Sequence, residues 1–441
     1  MKALIIAAGD GTRLQSYSRG QNKCLLPLLG LKIIERVILS AKEAKIQEFV
    51  IILGYQGKNI QNFLDDGKKY GVKINYVVNP DWKKENGISV LKAKPYFKQH
   101  FALLMSDHIF DSKTLIAIQR VKLSPRESIL AIDKNLESIL EANDVTKVFV
   151  KNNRIFTIGK ELITYNAYDT GMFICSPYIF KILSQTVKQN QNSLTDGIKI
   201  LAKKQLLRGY DIKGRFWADC DTYEDFKFAE KKLLQNLTKP EDGIISQKFN
   251  RKISTLITKQ LIKIPITPNT VSLLNSFLVI PTFFLLLKGD YPWLFWAGLL
   301  IQFNSILDGC DGEIARLKFL KSSWGAFFDT ILDRYVDVII IFGMVFSYWL
   351  QTKKDFVWIL GFWLVVSLLL DIFSSREIKL VTKKELNWRG TNIRRDTRLL
   401  IIALGVMLNQ FIVTFLILLL ILNYKILRRL FYFSRINISS K

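Results

Sequence analysis

Four aspartates stand close together in the chain: Asp308, Asp311, Asp329 and Asp333. The first two are three residues apart and the last two are four apart, and these spacings place side chains on one face of a helix. Two helical segments joined near Trp324–Gly325 would therefore present four acids to one crevice. Carboxylates at such short range cannot all stay ionised without cations between them. Two divalent cations, bridged as in phosphoryl-transfer sites, are the simplest way to neutralise them.

Apolar runs flank this stretch on both sides, which predicts that the acids lie at or inside a membrane boundary. Ionisable residues at that depth are costly and usually functional. The structural alternative is a set of acids that only cap membrane helices. A wider pattern argues against that alternative, because it resembles the signature of the CDP-alcohol phosphotransferase family. The residues that carry the resemblance are Asp308, Asp311, Gly312, Ala315, Arg316, Gly325, Asp329 and Asp333.

The resemblance to this family implies roles for these positions. The implied metal ligands are Asp308, Asp311, Asp329 and Asp333. For Asp333 the implied role is either a metal ligand or the base for the attacking hydroxyl. The implied nucleotide contacts are residues that are small enough to let a nucleotide approach the backbone closely: Gly312, Ala315 and Gly325. Arg316 would pair with an aspartate or with phosphate.

The first part of the chain, residues 1 to about 236, alternates short apolar runs with segments of helical periodicity. The predicted strands are Ala3–Ala7, Phe49–Leu53, Ile74–Val78, Ala102–Met105 and Ile129–Ile132. Helical segments such as Lys32–Lys45 and Gln56–Leu64 lie between them. Strands that alternate with helices are typical of a doubly wound, Rossmann-like α/β fold with a mostly parallel sheet.

A glycine-containing loop follows the first predicted strand, with the sequence AAGDGTRL from Ala7 to Leu14. It fails as a dinucleotide fingerprint, because Leu14 stands where the third glycine belongs, and it lacks the GKS or GKT of a P-loop. Lys23 follows ten residues after Arg13, inside the segment NKCLLPL. Together the two segments resemble the sugar-phosphate nucleotidyltransferases, including the MobA-like and phosphocholine cytidylyltransferase branches. One departure is Asn22, which stands where a proline is common in that family.

The second resemblance implies that the loop cradles a nucleotide triphosphate. The implied nucleotide-binding residues of the loop are Ala7, Ala8, Gly9, Asp10, Gly11, Thr12 and Arg13. Arg13 and Lys23 would neutralise the triphosphate, because an anionic phosphate must attack an anionic α-phosphate. The segment Asn86–Ser89 stands where cytidylyltransferases of this family approach the base and ribose, through Asn86 and Gly87.

Two acidic segments complete the implied site. Asp107 ends the LLM strand, at the carboxyl end where ligands bind in such sheets, and it matches the family's metal aspartate. In the segment WADCDT, Asp219 is the first choice for the second metal ligand and Asp221 is the alternative. A helix N-cap or a turn is the competing interpretation for each lone aspartate.

A further group of residues stands where the family binds the sugar phosphate. Its implied substrate-binding members are Lys160 and Asp169. The accompanying residues are Tyr165, Asn166, Thr170 and Gly171. Lys160 is equally compatible with an ordinary surface lysine.

The 441-residue chain exceeds one ordinary domain and carries a net charge of +25. This charge suits anionic substrates and an anionic membrane face, although a solvated surface and topology signals explain much of it. Nucleic-acid binding is not expected, because the cations are not gathered into one basic arm or motif. The four cysteines form no metal-ligand pattern and are expected to be reduced. No signal peptide is expected, because the opening LIIAA run is too short.

Residues 237–265 are predicted to form a linker and an interfacial helix. The segment Thr238–Gly243 has the composition of a linker. Apolar residues then recur at helical spacing with lysines among them: Ile253, Leu256, Ile257, Leu261 and Ile262, with Lys252, Lys259 and Lys263. This pattern indicates an amphipathic helix in the membrane interface. The alternative is a linker helix packed on the soluble domain.

Residues 266–441 contain the apolar runs expected of an all-α transmembrane domain. Spans are predicted at about 270–288, 291–307, 326–350 and 355–373. Residues 397–424 form either one long helix or two with a turn at Asn409–Gln410. Two helices keep the basic tail on the cytosolic side with the soluble half, as the positive-inside rule requires. Six spans are therefore predicted, which the family resemblance also implies, and the fifth begins before Arg398.

The loop 374–398 is rich in cations and is therefore expected to face the cytosol. The cations are Arg376, Lys379, Lys383, Lys384, Arg389, Arg394, Arg395 and Arg398. At least one of Arg394, Arg395 and Arg398 is expected to face the crevice beside the acids and bind a substrate phosphate, because guanidinium groups match phosphate oxygens. The alternative is that these arginines only set topology or bind anionic lipid head groups.

The order of the domains, 1–236, 237–265 and 266–441, resembles the bifunctional inositol-1-phosphate cytidylyltransferase and di-myo-inositol-phosphate-phosphate synthase family. The resemblance implies that CDP-inositol is made from CTP and inositol-1-phosphate, and that the inositol phosphate moiety is then transferred to a second inositol-1-phosphate. Residue chemistry alone reaches CTP-dependent activation of a phosphorylated polyol, followed by transfer. The rivals are a phospholipid synthase that uses a lipid alcohol and a membrane-anchored binding protein with a degenerate transferase half.

The expected cofactors and partners follow from the two sites. Mg²⁺ is expected at both, with two cations in the membrane site, because all-carboxylate ligation selects hard cations. The lipid bilayer is the expected environment of the second domain. The family resemblance implies a homodimer through the membrane helices.

Overall fold

The computed structural model describes residues 1–14, 17, 20–137, 145–238, 243, 245–382 and 393–438. The chain forms two compact units, Met1–Asn236 and Leu237–Lys441. Lys383, Lys384 and Arg389 of the predicted basic loop lie outside the described residues, as does most of the predicted linker Thr238–Gly243.

The first unit is built on a sheet of nine strands. The described strands are β1 (Lys2–Ala7), β2 (Pro27–Leu28), β3 (Leu31–Lys32), β4 (Glu48–Leu53), β5 (Lys73–Val78), β6 (Phe101–Met105), β7 (His108–Phe110), β8 (Ser128–Asp133), β9 (Lys147–Lys151), β10 (Arg154–Gly159), β11 (Ala167–Cys175), β12 (Leu207–Asp211) and β13 (Trp217–Asp219). The order in the large sheet is β5-β4-β1-β6-β11-β8-β12-β10-β9. Two further pairs, β7 with β13 and β2 with β3, lie outside it.

The strands β5, β4, β1 and β6 run parallel, as the alternating pattern predicts. All five predicted strands are confirmed, as β1, β4, β5, β6 and β8, and each predicted end agrees within one residue. The rest of the sheet is mixed, because β11 pairs antiparallel with β6 and β8, and β10 pairs antiparallel with β9 and β12. The predicted mostly parallel arrangement therefore describes the half of the sheet that carries the glycine loop.

Helices cover both faces of this sheet. They are α1 (Ile33–Glu43), α2 (Gly57–Leu64), α3 (Asn86–Lys92), α4 (Ser112–Gln119), α5 (Tyr178–Val187), α6 (Leu194–Lys203) and α7 (Tyr223–Gln235). Alternate residues of β1 enter different cores: Ala3 and Ile5 pack in one, and Leu4 and Ile6 in the other. A strand covered on both faces needs no polar side, which explains its unbroken apolar run. The helices predicted at Lys32–Lys45 and Gln56–Leu64 are confirmed as α1 and α2.

The second unit is helical throughout its described elements. They are α8 (Arg251–Leu261), α9 (Pro268–Phe277), α10 (Val279–Lys288), α11 (Tyr291–Leu317), α12 (Ser323–Thr352), α13 (Phe356–Thr382), α14 (Arg395–Met407) and α15 (Phe411–Ile438). One apolar core contains buried residues from each of the helices α10 through α15. The turn predicted at Asn409–Gln410 is confirmed, because α14 ends at Met407, Asn409 has a φ of 54°, and α15 begins at Phe411.

Three described stretches are long and apolar enough to cross a membrane: Pro268–Lys288, Phe356–Val381 and Phe411–Ser434. The total of six spans stays a prediction, because α11, α12 and α14 are not among these stretches. The helices α11 and α12 carry the acids, and α14 has 13 residues. One boundary was wrong: α13 continues to Thr382. Arg376 and Lys379 therefore lie on a helix and not in a loop, because residues 374–382 contain no glycine or proline to end it.

The helix predicted around residues 253–262 is α8, and polar groups attach it to α11. Ser254 and Thr258, one helical turn apart, each donate to the Glu313 carboxylate at 2.6 Å. Arg251 Nη1 donates to the same carboxylate at 2.7 Å. Glu313 is fully buried, whereas Leu256 on the opposite side of α8 is 67% exposed. This polar packing on α11 was not predicted, and the position of α8 in a membrane interface stays a prediction.

The Glu313 contacts lead to a stability prediction. Glu313→Ala should lower the free energy of unfolding by about 3 kcal/mol, because Arg251 would lose its charged partner in a buried setting. Glu313→Gln, which keeps the size and one acceptor oxygen, should cost less. The measurement is the apparent melting temperature of the full chain in nanodiscs. Equal melting temperatures for wild type and Glu313→Ala would contradict a structural role of this carboxylate.

Candidate active sites

The first cluster of polar side chains lies where β1 and β6 end. β1 leads into the loop residues 8–11, and β6 leads directly into Ser106 and Asp107. The Ser106 N–H continues the hydrogen bonding of β6 to β1 at 3.2 Å. The antiparallel pairing of β13 with β7 sets Asp219 opposite His108. The sheet thus brings together acids that are far apart in the chain.

Two cations are paired with the acids of this cluster. Lys23 Nζ forms ion pairs with Asp107 and Asp221, and Arg13 Nη2 forms an ion pair with Asp221. Burial would lower the pKa of Lys23, but Asp107 and then Asp221 outweigh it and raise that pKa above its ordinary value. Burial has the opposite effect on a carboxyl group and would raise the pKa of Asp107, but Lys23 and His108 lower that pKa to about 2. The Asp107 carboxylate is therefore ionised at neutral pH.

Three side chains of the cluster can hold a metal ion. One ligand atom from each of Asp107, His108 and Asp219 lies within 4.8 Å of the others. Burial raises the pKa of Asp219, and the carboxylates of Asp107 and Asp221 add to this while His108 opposes it. A divalent cation would relieve this crowding of charge, so the donor set fits one. Sequence reasoning missed His108, although it directly follows Asp107 in the segment SDH.

The glycine loop begins with two buried residues and continues with accessible ones. Ala7 and Ala8 are buried. The loop residues that are exposed or half-buried are Gly9, Asp10, Gly11, Thr12 and Arg13. Gly11 has a φ of +61°, and a Cβ atom there would fall 2.8 Å from Lys23 Cβ. Glycine is therefore required at this position, both by the backbone conformation and by the approach of Lys23.

Asn86 and Gly87 open α3 and contact the start of α6. Asn86 Oδ1 accepts a hydrogen bond from Leu194 N at 2.9 Å. A Cβ atom at Gly87 would fall 2.9 Å from the Ser193 carbonyl oxygen. The contacts of these two residues therefore join α3 to α6, and the predicted contact with base and ribose stays a prediction.

The predicted sugar-phosphate group divides into accessible and structural residues. Lys160 is exposed in the turn after β10. The Asn166 side chain pairs with both backbone groups of Val150, at 2.9 and 2.8 Å. Thr170 Oγ1 donates to the Ala131 carbonyl at 2.8 Å. Asn166 and Thr170 thus use their side chains to hold the sheet, whereas Lys160 extends from the surface.

Asp169 lies in β11 beside a register shift that separates it from Phe173. Its Oδ1 accepts from Gly171 N at 2.7 Å. Burial raises the pKa of Asp169 to about 6, although the Gly171 N–H and His108 lower it. A carboxyl group with such a shifted pKa beside a metal-binding cluster is a candidate for substrate contact.

The second site lies between α11 and α12 and unites the four predicted acids. Ligand atoms of Asp308, Asp329 and Asp333 lie within 4.8 Å of one another. Asp311 accepts from Ser272 Oγ and lies near the carboxyl groups of Asp329 and Asp308. These oxygen-only donors fit hard divalent cations. The two helices meet where the spacing predicts, but the connection lies at residues 318–322, before the predicted joint at Trp324–Gly325.

Arg395, in the first turn of α14, contacts these acids directly. Its Nη1 lies 2.8 Å from Asp308 Oδ1 and 2.8 Å from Asp333 Oδ1. Its Nη2 is buried and has no hydrogen-bond partner among the described residues. Of the other two predicted substrate arginines, Arg394 is exposed and Arg398 is buried. The expectation that one of the three faces the crevice is therefore met by Arg395.

Two further aspartates, which sequence reasoning missed, hold the arginines of α14. Asp337 Oδ1 lies 3.1 Å from Arg395 Nε, and Asp337 Oδ2 lies 3.8 Å from Arg398 Nη2. Asp371 accepts from Arg398 at 3.4 Å, and it also binds two cations of α15, Lys425 and Arg429. Asp337 follows Asp333 by four residues, so the helical spacing of Asp329 and Asp333 could have revealed it.

The small residues of the predicted signature line the ends of these helices. Gly325 lies in the first turn of α12, where its N–H donates to Ser322 Oγ at 2.9 Å. A Cβ atom there would fall 3.0 Å from Asn269 Oδ1. A Cβ atom at Gly312 would fall 3.2 Å from Arg316 Nη1. Ala315 is half-buried on α11. Larger residues would therefore crowd the polar groups at two of these positions.

The chain matches two protein families in succession. Residues 2–137 match the Nucleotidyl transferase family, and residues 265–426 match the CDP-alcohol phosphatidyltransferase family. Each unit also contains a cluster of side chains that could hold a metal ion, and the two family matches make the chain a bifunctional transferase.

Several relatives that align with most of this chain share one name. The "Bifunctional IPC transferase and DIPP synthase" of Aquifex aeolicus is 35% identical over 338 residues, which cover 76% of this chain and 74% of the relative. The protein of that name from Archaeoglobus fulgidus is 34% identical and covers 77% and 65%, respectively. The protein of that name from Rubrobacter xylanophilus is 30% identical and covers 91% and 89%. The chain belongs to this family of bifunctional IPC transferases and DIPP synthases.

The raised pKa of Asp169 predicts a pH-dependent stability effect. Because its pKa is about 6 in the folded chain and 3.8 ordinarily, ionised Asp169 destabilises the fold, and this cost grows as pH rises from about 4 to about 6. Asp169→Asn should therefore raise the free energy of unfolding by about 2–3 kcal/mol at pH 8 and by less at pH 5. Thermal melting of both forms at the two pH values measures it. A gain that is larger at pH 5 would contradict the predicted sign.

Proposed function

We propose that this chain makes CDP-inositol from CTP and inositol-1-phosphate, with release of diphosphate, and then transfers the inositol phosphate moiety to a second inositol-1-phosphate. The products of the second step are di-myo-inositol phosphate phosphate and CMP. The observation that carries the proposal is the presence of two separate carboxylate clusters, one in each unit. Relatives named for both activities support the pairing.

The first reaction joins two anions. An oxygen of inositol-1-phosphate forms a bond to the α-phosphorus of CTP, and the bond from that phosphorus to the bridging oxygen of diphosphate breaks. Repulsion between the phosphates opposes the approach. Arg13 and Lys23 counter it, and they exchange their present partners Asp221 and Asp107 for phosphate oxygens when CTP binds. Before CTP binds, Asp221 holds the side chains of Arg13 and Lys23 in place. This role favours Asp219 over Asp221 as the second metal ligand.

The remaining contacts of the first site are assigned on the same basis. The loop residues Ala7 to Thr12 offer backbone N–H groups to the triphosphate. Asn86 and Gly87 lie beside the base and ribose. Asp169 accepts hydrogen bonds from inositol hydroxyls, and Lys160 binds the phosphate of inositol-1-phosphate. Carboxylates suit hydroxyl groups because they accept strong hydrogen bonds.

In the second reaction a hydroxyl group is the nucleophile. The hydroxyl oxygen of the acceptor inositol-1-phosphate forms a bond to the phosphorus that carries the inositol of CDP-inositol. The bond from that phosphorus to the oxygen of CMP breaks, and the hydroxyl proton passes to the Asp333 carboxylate. Gly312, Ala315 and Gly325 leave space for the CDP moiety. The Arg395 guanidinium, whose Nη1 lies beside Asp308 and Asp333, binds the acceptor's phosphate.

Divalent cations complete both sites, and we assign Mg²⁺ to them, with two ions in the second. Asp107 and Asp219 hold the cation of the first site, and Asp308, Asp311, Asp329 and Asp333 hold those of the second. When bound, these cations neutralise phosphate oxygens and stabilise the charge of the leaving group.

We assign the second unit to the lipid bilayer, with the first unit, both sites and the carboxyl terminus on the cytoplasmic side. The apolar stretches of α9–α10, α13 and α15 support the bilayer assignment. The sidedness rests on the basic residues near the start of α14 and along α15. A homodimer through the membrane helices is part of the same proposal.

The two activities should be separable by mutation. Asp107→Asn should lower CDP-inositol formation by about 100-fold or more and leave transfer from supplied CDP-inositol intact. Asp308→Asn or Asp333→Asn should do the reverse. Asp111→Asn, at the N-cap of α4, and Asp355→Asn, a hydrogen-bond partner of Trp349, are matched controls that should keep both rates. Loss of both activities in any folded single variant would refute two independent sites.

Arg395 should determine affinity for the acceptor. Arg395→Ala should raise the KM for the acceptor inositol-1-phosphate by about tenfold, because a charged hydrogen bond to phosphate is lost, and it should change the KM for CDP-inositol less. The matched control is Arg394→Ala, since Arg394 is the exposed neighbour. Steady-state transfer assays with CDP-inositol as donor measure both constants. An equal effect of the two substitutions would contradict the assignment.

A further inference from the structure

The protonation of the His108 ring follows from its neighbours. Its Nδ1 lies 2.9 Å from the Thr170 carbonyl oxygen, and because a carbonyl can only accept, Nδ1 carries the hydrogen. Nε2 then faces the acids, 3.4 Å from Asp219 Oδ2 and 3.9 Å from Asp107 Oδ1. Metal-bound histidines usually donate their other ring N–H to a backbone carbonyl or a carboxylate, and His108 donates its Nδ1–H to the Thr170 carbonyl in this way.

The backbone beside the ring leaves room only for glycine. Gly171 has a φ of +72°, and a Cβ atom there would fall 2.6 Å from His108 Cε1. The Gly171 N–H donates to Asp169 at 2.7 Å, which holds this turn in place. The close approach of Gly171 therefore fixes the ring in the orientation that directs Nε2 at Asp107 and Asp219.

One carboxylate oxygen at this position also lacks a partner. Asp219 Oδ1 is buried and has no hydrogen-bond partner among the residues that the structure describes. A buried carboxylate oxygen without a partner costs free energy unless a donor or cation satisfies it. The three ligand atoms of Asp107, His108 and Asp219 lie within 4.8 Å of one another, so one ion can contact all three.

We propose that His108 is a third protein ligand of the divalent cation in the nucleotidyl transferase domain, beside Asp107 and Asp219. The inference rests on the proposed function of that domain. Its consequence concerns metal preference, because imidazole nitrogen suits transition metals whereas carboxylates suit Mg²⁺. The first site should therefore favour Mn²⁺ or Co²⁺ over Mg²⁺ more strongly than the second site, where Asp308, Asp329 and Asp333 offer only oxygen.

The competing role for His108 is that of a counter-ion. Burial lowers the pKa of His108, but Asp219 and Asp107 outweigh it and raise that pKa to about 10. A protonated ring would neutralise the two acids, and it would have to lose its Nε2 proton before that nitrogen could bind a metal. The two roles differ in whether a ring nitrogen is bonded to the ion, which magnetic resonance detects directly.

The chain contains two histidines, His100 and His108, so imidazole nitrogen is a specific label for this site. Mn²⁺ is bound to the full chain in nanodiscs and studied by electron spin-echo envelope modulation. Wild type should show the ¹⁴N modulation of a directly bound imidazole, and His108→Gln should lose it. The matched control is His100→Gln, since His100 Nε2 is hydrogen-bonded to the Glu127 carbonyl at 2.9 Å, and it should keep the modulation.

Two further measurements strengthen the test. Gly171→Ala keeps the imidazole but displaces the ring, so its ¹⁴N modulation should weaken or vanish. In an Asp308→Asn background, which weakens the second site, His108→Gln should raise the Mn²⁺ dissociation constant of the first site about tenfold or more. The second site contributes no ¹⁴N signal, because its protein ligands are carboxylates.

Wild type that binds Mn²⁺ without ¹⁴N modulation would overturn the proposal and leave His108 as a counter-ion. CDP-inositol formation is followed in the same samples. If it proceeds without a nitrogen signal, the ligand assignment fails and the proposed function stands. If the nitrogen signal is present and CTP yields no CDP-inositol, the ligand assignment stands and the proposed substrate is wrong.

Discussion

Repulsion between like charges is the constraint on which both sites depend. Each unit gathers several carboxylates into a space of a few ångströms, and such groups cannot remain together without positive charge. In the first unit Lys23 and Arg13 supply it. In the second unit Arg395 supplies it. In such a site, metal ions can replace the basic side chains as partners of the acids. Phosphates can replace the acids as partners of the basic side chains.

The two folds meet this constraint by different means. In the first unit, the carboxyl ends of β1 and β6 and the pairing of β13 with β7 bring Asp107, His108 and Asp219 to one place. In the second unit, helical spacing places the acids on one face of α11 and one face of α12, and the packing of these helices brings the two faces together. Buried ion pairs then extend away from the acids, from Arg395 through Asp337 and Arg398 to Asp371. Removing one member of such a buried ion pair lowers stability, because the other charge stays buried without a partner.

The sequence was informative where local rules decide the outcome. Unbroken apolar runs predicted the strands β1 and β4, because both faces of these strands are buried. Spacing along helices predicted that Asp308 and Asp333 would meet, and the positive-inside rule favoured two helices with a turn at Asn409–Gln410 over one long helix. These features depend on neighbours in the chain and so are visible in it.

Features that depend on distant partners were not predictable in the same way. His108 is a single residue whose role depends on the Thr170 carbonyl and on Gly171, and no local pattern marks it. The antiparallel insertion of β11 beside β6 follows from tertiary pairing and makes the sheet mixed. Likewise, the role of Glu313 on α11 depends on α8, which supplies three hydrogen-bond donors to its carboxylate.

We propose that one chain joins two phosphoryl transfers through a CDP-alcohol and transfers the inositol phosphate moiety to a water-soluble acceptor. The direct measurement supplies CTP, Mg²⁺ and labelled inositol-1-phosphate to the full chain in membranes that contain diacylglycerol or archaeol, followed by phase separation and ³¹P magnetic resonance. The label should enter a water-soluble product with one phosphodiester and one phosphomonoester, with release of diphosphate and CMP. Label in the organic phase would contradict the proposal and would identify a lipid alcohol as the acceptor.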